Sequence, residues 1–158
     1  MKKKAVFRDL FFITILVFVF AFGILFVLRI LTSFNTSIQA MAIVPAAAKT
    51  AVNTITTRAP MILDGAFILL WVLLMIVGLI LALQVQTNAL YLVISIIYFI
   101  FLIFITKIFS VLYARFVSNV ALASVNSTLL IIPFLMARLP LFTFVFGAII
   151  IAFMVVKR

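Results

Sequence analysis

Long apolar runs separated by short polar stretches dominate the chain. Three of them cover residues 10–28, 65–83 and 89–106. A helix rises 1.5 Å per residue and the hydrocarbon core of a bilayer is about 30 Å thick, so runs of this length nearly cross it as helices. The polar link at residues 84–88 is short. The second and third runs are therefore predicted to form an antiparallel hairpin.

The apolar stretch at residues 129–156 is longer and is interrupted by Arg138 and a nearby proline. As one helix it would be about 42 Å long and would carry Arg138 into the membrane at a cost of about 2.5–3.5 kcal/mol. We therefore predict that residues 141–156 form a fourth span and that residues 127–136 form an interfacial or re-entrant piece. Three spans are the alternative. The sequence thus predicts an all-α, polytopic integral membrane helical bundle, with residues 1–158 as a single domain.

The two longer connecting segments, residues 29–60 and 107–138, are rich in Ser, Thr, Asn and Ala. The two segments are equal in length, and each contains a Val-Asn-Ser/Thr tripeptide, which suggests a duplicated hairpin. Apolar positions in the first segment repeat with the 3-4 spacing of an amphipathic helix, and Pro45 is predicted to kink it. This helix either packs against a neighbouring subunit or lies on the membrane surface. The stripe comprises Leu31, Phe34, Ile38, Met41, Pro45, Ala48, Val52 and Ile55, of which the six from Ile38 onward are the predicted packing residues.

The composition excludes most classes of soluble and catalytic protein. Seventy per cent of the residues are hydrophobic and 9% are charged, whereas soluble proteins carry about 25% charged residues. A soluble fold of this composition would expose large apolar patches. The chain has no His and no Cys, and its only acids are Asp9 and Asp64. A Ser-His-Asp triad or a thiolate site cannot be built from it, so we predict no enzyme, no cofactor and no metal site.

Twelve Lys and Arg residues against two acids give a net charge of +10. The predicted membrane-surface anchors are Lys2, Lys3, Lys4, Arg8, Lys157 and Arg158. Contact between the basic termini and nucleic acid is the alternative, but no recognition motif supports it. With four spans the basic residues divide evenly between the two sides, so the positive-inside rule gives no orientation. An internal membrane of a virion, with anionic material on both faces, would suit this balance.

Asp64 is the main candidate for a functional residue. In the four-span topology it lies at the same membrane face as Arg29, Lys107 and Arg138. A carboxylate at a membrane boundary is a candidate ion or proton site. The simpler prediction is that Asp64 caps the second spanning helix and pairs with one of these cations.

These patterns predict a non-enzymatic membrane subunit with a structural or assembly role in a larger complex. Its predicted location is a cell membrane or the internal membrane of a virion, and its predicted partners are the lipid bilayer, other membrane subunits and copies of itself. The interiors of the predicted spans contain only Thr14, Ser95 and Thr143 as polar residues, so one subunit offers no polar path. An oligomeric pore-forming, holin-like or small channel protein is the alternative.

Overall fold

A computed structural model describes residues 5–84 and 89–156, with side chains described at residues 11–80 and 92–156. Within these ranges the chain forms six helices and no strand. The helices are α1 (Ala5–Ala40), α2 (Ala46–Gln84), α3 (Ala89–Val117), α4 (Val120–Asn126), α5 (Ile131–Ala137) and α6 (Leu139–Val156). The prediction of an all-α fold is confirmed.

Four helices are long and apolar enough to cross a membrane. They are Phe11–Ala40, Ala46–Ile80, Leu92–Val117 and Leu139–Val156. Between the third and the fourth, α4 and α5 meet at a bend of 113° and form a broken or re-entrant piece. The four helices confirm the predicted membrane bundle and indicate a membrane location for the chain.

The first connecting segment does not form a helix of its own. Instead α1 continues to Ala40 and α2 begins at Ala46, so the turn between them divides the predicted stripe. Pro45 directly precedes α2, and its carbonyl accepts the N–H of Lys49 at 3.1 Å. A proline is compatible with this position because the residues at a helix start donate no intrahelical hydrogen bond. Pro45 thus starts a helix, and the predicted kink is wrong.

The hairpin of α1 and α2 is longer than a membrane is thick. With 36 and 39 residues, the two helices measure about 54 and 58 Å, against a hydrocarbon core of about 30 Å. We call residues 29–60, at the end of this hairpin, the arm. The second connecting segment is built differently, because α3 continues to Val117 and two short helices follow. The structure therefore does not support a duplicated hairpin.

Polar contacts join the two sides of the arm. The Asn35 side-chain amide donates to Oδ1 of Asn53 at 3.2 Å. The Gln39 amide donates to the backbone carbonyl of Lys49, and the Lys49 ammonium donates to the carbonyl of Gln39, both at 2.9 Å. Asn35 and Gln39 are one helical turn apart, as are Lys49 and Asn53, so these contacts share one antiparallel register. The two helices thus stay paired up to the turn.

The main core lies where α1 and α2 meet α4 and α5. Its fully buried side chains include Leu25, Phe67, Ile132 and Met136. The helix α3 joins this core through aromatic contacts, including Phe18 of α1 stacked on Phe109 with ring centroids 4.2 Å apart. A second cluster of Leu102, Ile150 and Met154 holds α3 against α6.

Candidate functional site

Asp64 lies inside α2, which passes through Pro60 without ending. The prediction that Asp64 caps the start of this helix is therefore wrong. Its carboxylate caps a different helix, α5. Oδ2 accepts the N–H groups of Leu130 and Ile131 at 2.8 and 2.7 Å, and Oδ1 accepts the N–H of Ile132 at 2.8 Å.

This arrangement gives hydrogen-bond partners both to the N–H groups at the start of α5 and to the buried carboxylate of Asp64. The first four N–H groups of a helix lack intrahelical acceptors, and a helix N-terminus favours an anion. The residue at the N-cap of α5, Leu130, supplies no side-chain hydrogen bond. Asp64 is only 5% exposed, and a carboxylate buried this far is costly unless its oxygens accept hydrogen bonds. Each charge-assisted bond contributes about 1.5–3 kcal/mol.

Two further hydrogen bonds fasten α4 and α5 to α3. The Tyr113 hydroxyl donates to Oδ1 of Asn126, the last residue of α4, at 2.7 Å. The Ser110 hydroxyl donates to the carbonyl of Ala137, the last residue of α5, at 3.3 Å. We call the attachments made by Asp64, Tyr113 and Ser110 the clasp. The clasp ties the bent pair of helices to two different spanning helices.

The cations predicted to pair with Asp64 have other environments. The Arg138 guanidinium lies over the Phe134 ring, 4.5 Å from its centroid. Arg29 is half-buried in α1 at the base of the arm, and Lys107 is exposed on α3. Among the described residues, the partners of the Asp64 carboxylate are three backbone N–H groups. The predicted ion pair is therefore not formed there.

The predicted packing residues of the stripe divide between two surfaces of the arm. Ile38 and Val52 are half-buried, as expected for the seam between α1 and α2. The remaining four, which are exposed, are Met41, Pro45, Ala48 and Ile55. The stripe is thus not one continuous face, and only its exposed part is open to a partner.

Most of the predicted membrane-surface anchors cannot be placed. Lys2, Lys3, Lys4, Lys157 and Arg158 lie outside the described residues. Arg8 belongs to α1, but its side chain lies outside the described part. Their role as anchors stays a prediction.

Sequence reasoning missed Ser110 and Tyr113 as site residues. Thr106, Ser110 and Tyr113 follow one another at intervals of four and three residues, so they share one face of α3. All three are buried, with exposed fractions of 0%, 8% and 4%. This repeat of polar-tipped residues at the end of an apolar run was the signal that could have indicated a buried polar face.

No family model, curated protein or solved structure matches the chain. Among the residues that the structure describes, no group of three His, Cys, Asp or Glu could hold a metal ion. The clasp, the arm and the exposed faces of the spanning helices are therefore the features from which a function can be inferred.

Proposed function

We propose that the protein is a non-enzymatic membrane subunit with a structural or assembly role, and that the arm is its contact surface for another subunit or a second copy. The low charge of the arm supports this role. Between Arg29 and Arg58 the only charged residue is Lys49, whose ammonium is bonded to the Gln39 carbonyl. A helix pair that faces water normally carries many charged residues on its outer side.

The hydroxyl groups of the arm support the same proposal. Most of its Ser and Thr side chains donate to the carbonyl four residues earlier in their own helix, namely Thr32, Thr36, Ser37, Thr50, Thr54, Thr56 and Thr57. Such bonds turn the hydroxyls back toward the helix. The exposed alanines, such as Ala47 and Ala51, add further small side chains. A surface of this kind lets another helix approach closely.

Large apolar side chains on the arm are open to contact. Ile43 in the turn is 93% exposed, and Phe34 and Ile55 are 53% and 59% exposed. Large apolar side chains exposed to this extent are typical of surfaces that interact with proteins or lipid. Together with the small residues, these side chains favour a partner helix over water as the neighbour of the arm.

Charge placed on the exposed face of α2 tests this proposal. We expect Ala48→Glu combined with Ile55→Glu to reduce the size of the native complex after mild detergent extraction, because a buried unpaired carboxylate costs several kcal/mol. Membrane insertion should continue, since both positions lie outside the apolar run at residues 65–83 that supplies the membrane-crossing part of α2. Val52 is unsuitable because a charge at this half-buried position would open the arm itself.

The matched control is Thr50→Glu combined with Thr57→Glu, which adds the same charges on the opposite face of α2. This variant should keep the size of the complex. If the Ala48 and Ile55 variant also keeps it, the arm is not a contact surface and the proposal fails.

An oligomeric pore is the second candidate function. The bent pair of α4 and α5 favours it, because broken helices line many transport paths. The N-terminus of α5 is already occupied by Asp64, which leaves it less able to bind a passing ion. Reconstitution into liposomes separates the two roles: leakage of dye or ions at low copy number would support the pore, and intact liposomes would support the structural role. Either role suits a cell membrane or the internal membrane of a virion.

A further inference from the structure

The outer face of α3 carries two exposed cations beside apolar side chains. Lys107 and Arg115 are eight residues apart, which corresponds to about 12 Å along the helix. Ile108, Val111 and Leu112 lie between them and are 53%, 41% and 38% exposed. The five side chains line a shallow groove of about 220 Å³.

A second groove, of about 470 Å³, adjoins the first. It shares Leu112 and Arg115 with the first groove and extends to Phe26 of α1 and Leu122 of α4. Arg115 therefore lies where the two grooves meet, and most of the other residues that line the two grooves are apolar.

The charges at this end of the bundle are not balanced within the chain. The cations at this end are Arg29, Lys49, Arg58, Lys107, Arg115 and Arg138. Asp64 is the one carboxylate there, and its oxygens are bonded to backbone N–H groups of α5 and the residue before it. The other acid, Asp9, belongs to the opposite end of α1. An anion for Lys107 and Arg115 therefore has to come from outside the chain.

We propose that this face of α3 binds an anionic phospholipid, with Lys107 and Arg115 holding its phosphate headgroup and the apolar grooves receiving its acyl chains. A phospholipid combines the two properties that the site requires, a negative charge and a long apolar tail. Lys107 directly follows the apolar run at residues 89–106, and Arg115 shares its groove with Phe26, near the end of the first apolar run, so a lipid reaches both cations from the bilayer. Two cations near the membrane surface predict a preference of roughly 30-fold over a zwitterionic lipid.

Quenching by brominated lipids tests the site. The chain has one tryptophan, which Trp71→Phe removes. Leu112→Trp then places a single tryptophan at a position that lines both grooves. The full chain is reconstituted into phosphatidylcholine vesicles that contain a small fraction of brominated phosphatidylglycerol or brominated phosphatidylcholine. We expect brominated phosphatidylglycerol to quench at a much lower fraction. Adding Lys107→Gln and Arg115→Gln should remove most of this difference.

The control Arg29→Gln with Arg58→Gln removes the same charge from the base of the arm and should keep the preference. The chain without reporter substitutions gives a second measurement: phosphatidylglycerol should raise its unfolding temperature in detergent more than phosphatidylcholine does, unless Lys107 and Arg115 are both Gln. Equal quenching by the two lipids, together with equal stabilisation, would overturn the proposal and leave an acidic protein surface as the partner of these cations.

Discussion

Asp64→Asn tests whether the cap on α5 holds the clasp together. Asparagine keeps the shape of the side chain but replaces one carboxylate oxygen with an NH₂ group that cannot accept a hydrogen bond. In the native protein Oδ2 accepts two backbone N–H groups and Oδ1 accepts one. The amide oxygen can keep the two bonds of Oδ2 as neutral bonds, while the N–H of Ile132 then faces a donor.

Asp64→Asn should lower the free energy of unfolding by a substantial fraction of the total for a domain. An unsatisfied buried N–H costs about 1–3 kcal/mol, and each remaining bond weakens by about 1 kcal/mol when its acceptor loses its charge. Removing the buried charge offsets part of this loss because its desolvation cost disappears. We expect a net decrease of about 2–3 kcal/mol in the free energy of unfolding, compared with about 5–15 kcal/mol for a whole domain.

Unfolding in mixed detergent micelles measures this difference. Trp71 packs edge-on against Phe142 of α6, with ring centroids 5.2 Å apart, so its fluorescence reports the separation of α2 from α6. Hydrogen exchange at the amides of residues 130–132 reports the cap itself. Asp9→Asn removes the other side-chain carboxylate of the chain and controls for net charge. If the Asp64 and Asp9 variants are equally stable and the three amides stay protected, the reasoning is refuted.

Three further predictions concern two glycines and the topology of the chain. Gly147→Ala should destabilise the bundle by about 1–3 kcal/mol in the same titration, because a Cβ there would overlap the Phe99 ring. Gly23→Ala should instead stabilise α1 by up to about 1 kcal/mol, because apart from the backbone of α1 around it and the two adjacent residues no atom lies within 4 Å of the new Cβ. Because the chain has no cysteine, Ile43→Cys and Gln86→Cys allow single-site labelling, and they should react from opposite sides of the membrane. Labelling of both from one side would rule out the four-span topology.

The spanning helices could be predicted because their signal is local. An apolar run long enough to cross the bilayer needs no knowledge of distant residues, and the beginning of α6 at Leu139 lies close to the predicted break at Arg138. The ends of the helices were harder to predict. The helix α1 passes Arg29 without a break and reaches Ala40. Arginine is a good helix former, and Thr32 bonds back to the carbonyl of Leu28 at 2.8 Å, so neither residue stops the helix at a membrane boundary.

The role of Asp64 could not be predicted because its partners are far away along the chain. Pro60 and Asp64 are typical helix-start residues, but the residues before them are already helical and paired with α1. The carboxylate instead meets amides that follow it by 66 to 68 residues. These amides also belong to the backbone, so the identities of their own side chains carry no sign of the contact. A local rule can recognise a capping residue, but it cannot identify the helix end that will receive the cap.

The stripe of the arm shows that hydrophobic spacing alone does not distinguish one helix from two paired helices. The 3-4 spacing is the same for one helix that buries a narrow face and for two helices that bury matching faces against each other. It continues across Pro45 without a gap, so it contains no sign of the turn. The pairing of Gln39 with Lys49 requires the chain to reverse between them, and this reversal places Ile38 and Val52 in the seam. The apolar positions of the stripe that stay exposed then lie on two helices and the turn between them, not on the single continuous face that a surface helix presents to lipid, which favours a second helix as the neighbour of the arm.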